Sequence, residues 1–116
     1  MLNMVGGGYV DETNIQILVA LMKHHNVRRV VVSPGATNVT LVACLQRDSF
    51  FTVYSSVDER SAAYIACGIA AETGEPVALS CTGATAARNY ASGLTEAYYR
   101  KLPVLAITST QHLGRV

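Results

Sequence analysis

The chain has 116 residues, of which 50% are apolar, so it is long enough for one domain with a buried core and too short for two. Its formal net charge is +1 and 15% of its residues are charged, without the basic stripe that is typical of nucleic-acid-binding proteins. No apolar run reaches the roughly 18 residues of a membrane span, and the start, "MLNMVGGGYVDETN", lacks the features of a secretory signal. We therefore expect a cytoplasmic protein that binds neither nucleic acid nor membranes.

The first half of the chain predicts two helices with a buried strand between them. After the lead-in "VGGGYVDET", apolar residues recur at helical spacing from Ile15 to Met22, which predicts the first helix. The β-branched run "VRRVVVSPG" predicts a buried strand that ends in a turn at Pro34 and Gly35. Residues 38–46 then predict a second, shorter helix.

The second half continues this alternation. "FFTVYSSV" predicts a second strand, and Glu59–Thr73 predicts a long helix of small residues that is closed by Gly74 and Pro76. "PVALSCTG" predicts a third strand, "ATAARNYASGLTEAYYR" a loop and a helix, and "LPVLAITST" a fourth strand. The remainder, "QHLGRV", adds no closing element.

Strands that alternate with helices imply crossover connections and a parallel sheet. We expect residues 1–116 to form one α/β domain, a doubly wound parallel sheet with helices on both faces, which is incomplete. Ligands of such sheets lie outside the carboxyl ends of the strands. The predicted site therefore lies in three loops, "SPGATN", "VDER" and "CTGATAARN".

Several common kinds of site are not supported by the sequence. GxGxxG, the phosphate loop GxxxxGK[ST] and the nucleophile elbow GxSxG do not occur. Cys44, Cys67 and Cys81 form no CxxC pair, which favours small buried side chains over a zinc site. His24 and His25 end the first helix, where they are better suited to interact with the helix dipole than to catalyse a reaction.

Glu59 is the remaining candidate, and it has two interpretations. An acidic residue in the first turn of a helix stabilises the helix dipole, which requires no function. On the other hand, Glu59 follows a strand and begins a helix of Ala, Ile, Tyr and Gly. A carboxyl group in apolar surroundings can hold or share a proton near neutral pH.

The loops and their spacing resemble a known family. "VVVSPGATNVTLV", followed by "VDERSAAYIACGIAAETGEPVALSCTGATAARNYASGLTEAYYRKLPVLAITST", resembles the pyrimidine-binding domain of thiamine-diphosphate-dependent enzymes. This group includes acetolactate synthase, 2-oxoacid decarboxylases and the menaquinone-pathway carboligase. The resemblance covers roughly residues 13–110. Each motif alone is weak, but the motifs occur in the right order and at the right spacing.

The resemblance implies roles for individual residues. In that family the glutamate at the position of Glu59 hydrogen-bonds N1′ of the aminopyrimidine and so helps the cofactor to lose its thiazolium C2 proton, which makes Glu59 the catalytic residue. The same resemblance implies that other residues bind the cofactor, namely Pro34, Gly35, Thr82, Gly83 and Asn89. Thr82 and Asn89 can equally be a strand-end residue and a helix cap.

The resemblance also implies what lies outside this chain. The family binds the diphosphate through Mg²⁺ on a separate domain that carries a GDG motif, and no GDG occurs here. We therefore expect no metal ligands in this chain, which we interpret as the N-terminal piece of a longer enzyme that acts on a 2-oxoacid and is inactive alone. Two alternatives stay open: a free-standing small subunit of a two-subunit 2-oxoacid decarboxylase, and a non-catalytic doubly wound domain that binds a partner protein or a nucleotide.

Two features depart from the family pattern. The loop "CTGATAARN" is one residue longer between its Gly and its Asn, which leaves the contacts of residues 84–88 open. Thr37 stands where the menaquinone-pathway enzyme carries an arginine, so that enzyme's substrate is not carried over.

The two long helices of the second half predict association. After Arg60 the helix Glu59–Thr73 carries no charge until Glu72, which is unusual for a helix with one face in water. The following helix adds aromatic and apolar residues: Tyr90, Leu94, Tyr98 and Tyr99. We expect a two-fold homodimer, or a higher oligomer, through these helices, as well as contact with a diphosphate-binding domain. The alternative is that the rest of the same domain covers both helices.

Overall fold

The computed structural model describes residues 9–83 and 85–110. Its elements are, in chain order, α1 Tyr9–His24, β1 Arg29–Val32, α2 Val39–Arg47, β2 Thr52–Ser55, α3 Glu59–Thr73, β3 Val77–Thr82, α4 Thr85–Arg88, α5 Ala91–Arg100 and β4 Val104–Ser109. A 3₁₀ turn, Ala36–Asn38, connects β1 to α2. The predicted alternation of strands and helices is confirmed.

The strands form one parallel sheet in the order β2-β1-β3-β4. Arg29 at the start of β1 pairs with Thr52 of β2 on one side and with Val77 of β3 on the other. Val77 in turn pairs with Val104 of β4. Because all four strands start level and run the same way, the loops that follow them emerge at one edge of the sheet.

Helices cover both faces of the sheet, as predicted. Successive side chains of a strand point to opposite faces, and β1 shows this directly. Val30 and Val32 pack in one core with Met22 of α1 and Leu45 of α2. Val31 packs in a second core with small residues of α3, namely Ala62, Ala63, Ala66 and Ala70. The α/β doubly wound class is therefore confirmed.

The order of the strands creates a crevice between β1 and β3. The chain runs from β1 outward to β2, then returns past β1 to form β3. The helix after β1, α2, packs in the first core, whereas Leu94 of α5, after β3, packs against the second. The loops after these two neighbouring strands therefore part toward opposite faces. Such a switch point is where open α/β sheets bind ligands.

The ends of α3 lie where the sequence predicted them, because both ends carry strong local signals. Asp58 is the N-cap, and its Oδ2 accepts hydrogen bonds from the Ser61 backbone N at 2.8 Å and from Ser61 Oγ at 2.7 Å. These bonds lower the pKa of Asp58. Gly74 ends the helix with φ of 70°, a left-handed conformation that favours glycine.

Two helices differ from the prediction. Helix α1 begins at Tyr9, inside the expected lead-in, because no Gly or Pro follows the three glycines to prevent it. The loop predicted after β3 contains a short helix, α4, which a break separates from the predicted helix α5. At the break, the backbone N atoms of Asn89 and Tyr90 each donate to a carbonyl three residues earlier, at 3.1 Å. The Tyr90 side chain is buried there.

Helices α3 and α5 cross at unusually close range. A Cβ atom at Gly93 would overlap the Ala63 Cβ and would lie 3.1 Å from the Ala63 backbone carbon. Cys67 Sγ donates a hydrogen bond to the Gly93 carbonyl at 3.3 Å. The small residues of α3 thus let another helix of the same chain approach closely.

The cysteines lie mostly in the interior, as expected for small side chains of this kind. Cys67 and Cys81 are buried and Cys44 is half-buried, and all three are free. Burial raises the pKa of both buried thiols. None of the described helices combines the length and the apolar character that a transmembrane span requires.

Candidate functional site

The turn after β1 is held by a buried asparagine. Asn38 Oδ1 accepts a hydrogen bond from the Gly35 backbone N at 2.8 Å. Its Nδ2 donates to the Ser33 carbonyl at 3.3 Å and to Ser80 Oγ of β3 at 3.2 Å. Asn38 is 1% exposed. The Asn38 side chain therefore stabilises the turn and links it to the neighbouring strand, β3.

Gly35 and Thr82 meet across the crevice between β1 and β3. A Cβ atom at Gly35 would overlap Thr82 Cγ2. The φ of Gly35 is −160°, an extended conformation open to any residue, so the contact with the Thr82 methyl group and not the backbone conformation favours glycine here. Gly83 lies close to the end of β4, since a Cβ there would lie 3.1 Å from the Ser109 carbonyl oxygen.

A cleft of about 550 Å³ opens above this contact. Its wall is formed by the turn after β1, the end of β3 and the end of β4, with the lining residues Gly35, Ala36, Thr37, Thr82, Gly83, Ser109 and Thr110. Thr37 Oγ1 donates to the Ser109 carbonyl at 2.9 Å and so links the turn after β1 to the end of β4. Gly35 and Gly83 are among these lining residues, and glycine allows a ligand to approach the backbone closely.

Glu59 and Asn89 form a polar pair at the same edge of the sheet. Glu59 is the first residue of α3, and its Oε1 accepts a hydrogen bond from Asn89 Nδ2 at 3.1 Å. The Glu59 side chain is half-buried and Asn89 is exposed. The carboxylate is thus oriented by an amide and open to solvent on one side, rather than enclosed by apolar groups.

Tyr90 directly follows Asn89 in the chain, near the same edge of the sheet. Its side chain is 1% exposed, and its hydroxyl has no hydrogen-bond partner among the described residues. Burial raises the pKa of Tyr90, and the neighbouring Cys81 and the charge of Glu59 raise it further. The hydroxyl therefore stays protonated across the ordinary pH range and is a hydrogen-bond donor.

The structure arranges the predicted site residues in two groups along one edge. One group is the pair Glu59 and Asn89, and the other is the contact of Gly35, Thr82 and Gly83 that lines the cleft. Pro34, which precedes Gly35, is exposed. The structure thus brings the three predicted loops to one edge, and the cofactor roles of these residues stay predictions.

Sequence reasoning missed three polar side chains at this edge: Ser33, Asn38 and Tyr90. Ser33 Oγ donates to the Ser56 carbonyl at 2.6 Å and so ties the turn after β1 to the loop after β2. The only sequence signal for Asn38 is its position three residues after Gly35, which suits a side-chain bond to the turn. For Tyr90 no signal exists, because its burial depends on the break between α4 and α5.

Comparison with known proteins identifies related sequences. The family described as "Thiamine pyrophosphate enzyme, N-terminal TPP binding domain" matches residues 13–116. The 2-succinyl-5-enolpyruvyl-6-hydroxy-3-cyclohexene-1-carboxylate synthase of Bacteroides thetaiotaomicron is 42% identical over 101 residues, which are 87% of this chain and 18% of that protein. The synthase of the same name from Lysinibacillus sphaericus is 41% identical over 92 residues, 79% of this chain and 16% of that protein. The chain thus spans less than a fifth of the length of these relatives.

Solved structures show the same fold. Benzoylformate decarboxylase from Polynucleobacter necessarius superimposes with a TM-score of 0.77 at 25% identity, over 86% of this chain and 18% of that one. The thiamine diphosphate-dependent 4-hydroxybenzoylformate decarboxylase of Rhodococcus jostii gives a TM-score of 0.78 at 18% identity, over 86% of this chain and 19% of that one. The second likeness concerns the fold alone.

Proposed function

Because the chain belongs to the family of the N-terminal thiamine-pyrophosphate-binding domain of thiamine pyrophosphate enzymes, we propose that it forms the pyrimidine-binding part of an enzyme that decarboxylates or carboligates a 2-oxoacid with thiamine diphosphate, the same cofactor under its other name. The observation that carries the proposal is the position of Glu59. Glu59 is the first residue of α3, at the carboxyl edge of the sheet. Asn89 Nδ2 orients the carboxylate there by donating a hydrogen bond to Glu59 Oε1 at 3.1 Å.

The residues at this edge fit an aminopyrimidine ring. Gly35 and Gly83 leave the walls of the cleft without side chains where neighbouring residues lie closest, and a flat ring needs such close access to backbone. The half-buried Glu59 carboxylate supplies a hydrogen-bonding group for a ring nitrogen. The buried Tyr90 hydroxyl, without a partner in the described part of the chain, is a further polar group at this edge.

The cofactor, when bound, supplies a carbon nucleophile at thiazolium C2 that attacks the 2-oxoacid carbonyl. The part of this chain is to bind and orient the pyrimidine and to handle one proton. In the proposed role the Glu59 carboxyl oxygen hydrogen-bonds N1′ and shares a proton with it. Asn89 Nδ2 holds the carboxylate in place. Asn38 and Thr82 keep the turn after β1 and the end of β3 in register, so that the pocket is preformed.

We assign the diphosphate end of the cofactor and its Mg²⁺ to another domain of the same enzyme or of a partner subunit. Among the residues that the structure describes, no group of three or more His, Cys, Asp or Glu side chains could hold a metal ion. Mg²⁺ prefers carboxylate, phosphate and water oxygens in octahedral geometry. The proposal therefore places only half of the cofactor site in this chain, with the chain as one segment of a longer enzyme.

The substrate is proposed at the level of its class, a 2-oxoacid. The relatives carry the name of one synthase, and benzoylformate, named for one solved structure, is itself a 2-oxoacid. Thr37 replaces the arginine that the menaquinone-pathway enzyme carries, and its hydroxyl is bonded to the Ser109 carbonyl in the wall of the cleft. A hydroxyl in place of a guanidinium removes a carboxylate-binding group, so the substrate of that enzyme is not carried over to this chain.

Binding can be tested on the chain itself by titration with thiamine diphosphate and Mg²⁺. We expect weak binding, with a dissociation constant far above about 1 µM (about −8 kcal/mol), because the charged end of the cofactor lacks its ligands. In amide NMR spectra the shifts should concentrate at the loops after β1, β2 and β3, and so at Gly35, Glu59, Gly83 and Asn89. A dissociation constant near about 1 µM, or shifts centred on the adjoining cleft at Leu18, Leu41 and Ile107, would contradict the proposal.

We also propose self-association, through a surface that the structure redefines. Ala66, in the middle of α3, is fully buried inside the chain and therefore cannot form part of an interface. The exposed side of α3 instead carries Tyr64 and Ile65, which are 45% and 43% exposed, and Gly68, where no described atom lies within 4 Å of a Cβ position. These three residues form the α3 surface. On α5, Tyr98 and Tyr99 are exposed as well.

The variant Gly68→Arg is expected to abolish association without harming the fold. The new side chain meets open space in the single chain, and arginine favours a helix over glycine by about 0.5–1 kcal/mol. In a packed interface the same side chain would bury a charge. Light scattering over a concentration series measures the result, with Ala20→Arg on the exposed side of α1 as the matched control. A wild-type monomer at every concentration, or equal association of both variants, would contradict the proposal.

A further inference from the structure

The hydrogen-bond ladder between β1 and β2 ends at a proline. Thr52 N donates to the Arg28 carbonyl at 2.8 Å, and four residues later Ser56 N donates to the Val32 carbonyl at 2.9 Å. In a parallel ladder a residue that donates to one position of the neighbouring strand accepts from the position two residues later. For the Ser56 carbonyl that position is Pro34, which has no N–H, so the backbone supplies no donor there.

The Ser33 side chain supplies the missing donor. Its Oγ donates to the Ser56 carbonyl at 2.6 Å, and the residue is 2% exposed. The backbone of Ser33 is fixed as well, because its N donates to the Ser80 carbonyl at 2.8 Å and its carbonyl accepts from Asn38 Nδ2 at 3.3 Å. All three polar groups of Ser33 are therefore bonded, and its hydroxyl is held in one place.

This bond joins the two loops that the proposed function brings together around the pyrimidine ring. On one side, Ser33 lies two residues before Gly35, which lines the cleft. On the other side, Ser56 Oγ donates to the Asp58 carbonyl at 3.1 Å, and Asp58 caps the helix that begins with Glu59. The hydrogen bonds thus run from the wall of the cleft to the residue before Glu59. A shift of either loop would change the distance between the cleft and the Glu59 carboxylate.

We propose that Ser33 is a positioning residue for Glu59, whose hydroxyl sets the separation between the turn at Gly35 and the start of α3 so that the carboxylate meets N1′ of the pyrimidine. The inference rests on the proposed function of Glu59. Asn89 orients the carboxylate itself, whereas Ser33 fixes the backbone that carries it. A role in stability alone would make Ser33→Ala weaken the fold without changing proton exchange in the bound cofactor.

The test is Ser33→Ala in the complete enzyme. At saturating thiamine diphosphate and Mg²⁺, the rate of C2-proton exchange measured by NMR is expected to fall about 10- to 100-fold, because a misplacement of about 1 Å can have an effect of this size. Val27→Ala is the control for lost stability, since it removes buried apolar atoms just before β1, at the opposite edge of the sheet. This control should lower the thermal midpoint and leave the exchange rate at saturation as in the wild type.

The double variant Ser33→Ala/Glu59→Gln measures whether Ser33 acts through Glu59. If it does, adding Ser33→Ala to Glu59→Gln slows exchange no further, because residues that act as a unit have non-additive effects. The inference is overturned by wild-type exchange in Ser33→Ala, by an equal fall in Val27→Ala, or by a fall in the double variant that multiplies the two single effects. The failure of the proposed function looks different, because then Glu59→Gln itself exchanges the C2 proton at the wild-type rate.

Discussion

Replacing Glu59 with glutamine is expected to slow C2-proton exchange of bound thiamine diphosphate by about 10²- to 10⁴-fold, the usual contribution of a general acid/base group. Glutamine keeps the size of the side chain and can still meet Asn89, but it cannot hold or release a proton. The fold should be unaffected, because the N-cap of α3 is Asp58 and not Glu59. The measurement is NMR-detected exchange in the complete enzyme at saturating cofactor.

Glu72→Gln is the matched control for this experiment. Glu72 lies in the last turn of the same helix and is exposed, so the substitution makes the same chemical change far from the cleft. Its exchange rate should equal that of the wild type. Wild-type exchange in Glu59→Gln would remove the catalytic role and leave Glu59 with the helix-dipole role alone.

Gly93→Ala is expected to destabilise the protein by about 1–3 kcal/mol, the usual cost of overpacking a core. The added methyl group would overlap the Ala63 Cβ and crowd the Ala63 Cα at 3.2 Å. Backbone atoms cannot turn aside as a flexible side chain can, so α3 and α5 must move apart. Equilibrium unfolding in urea measures the loss, which should appear as a lower midpoint.

Gly68→Ala provides the opposite control on α3. No described atom lies near a Cβ at this position, so the substitution should only replace glycine with a better helix former, worth about 0.5–1 kcal/mol. The two Gly→Ala changes are therefore expected to differ in sign. Equal effects would mean that the close crossing of α3 and α5 does not contribute to stability.

Much of the secondary structure follows from local signals in the sequence. The predicted bounds of Glu59–Thr73 agree with α3 residue for residue, because Asp58 caps its start and Gly74 its end through contacts within a few residues. The strands were predicted from β-branched runs bounded by turns, and the parallel sheet from their alternation with helices. Where the local signal was weak, as at the start of α1, the predicted boundary was wrong, and the short helix α4 was not predicted.

The sequence by itself determined the element order, the fold class and the three loops that carry the candidate site, since each depends on neighbours along the chain. Only the tertiary structure decided which side chains meet at the candidate site. Glu59 bonds Asn89 thirty positions later, Gly35 meets Thr82, and the hydroxyl of Tyr90 is buried beside Cys81. Such contacts depend on the strand order β2-β1-β3-β4 and on the distance between packed helices, and neither leaves a periodic signal in the sequence. Helix α3 was correctly predicted because its signals are local. The burial of Ala66 and the exposure of Gly68 depend on how α3 packs, so they became clear only from the tertiary structure.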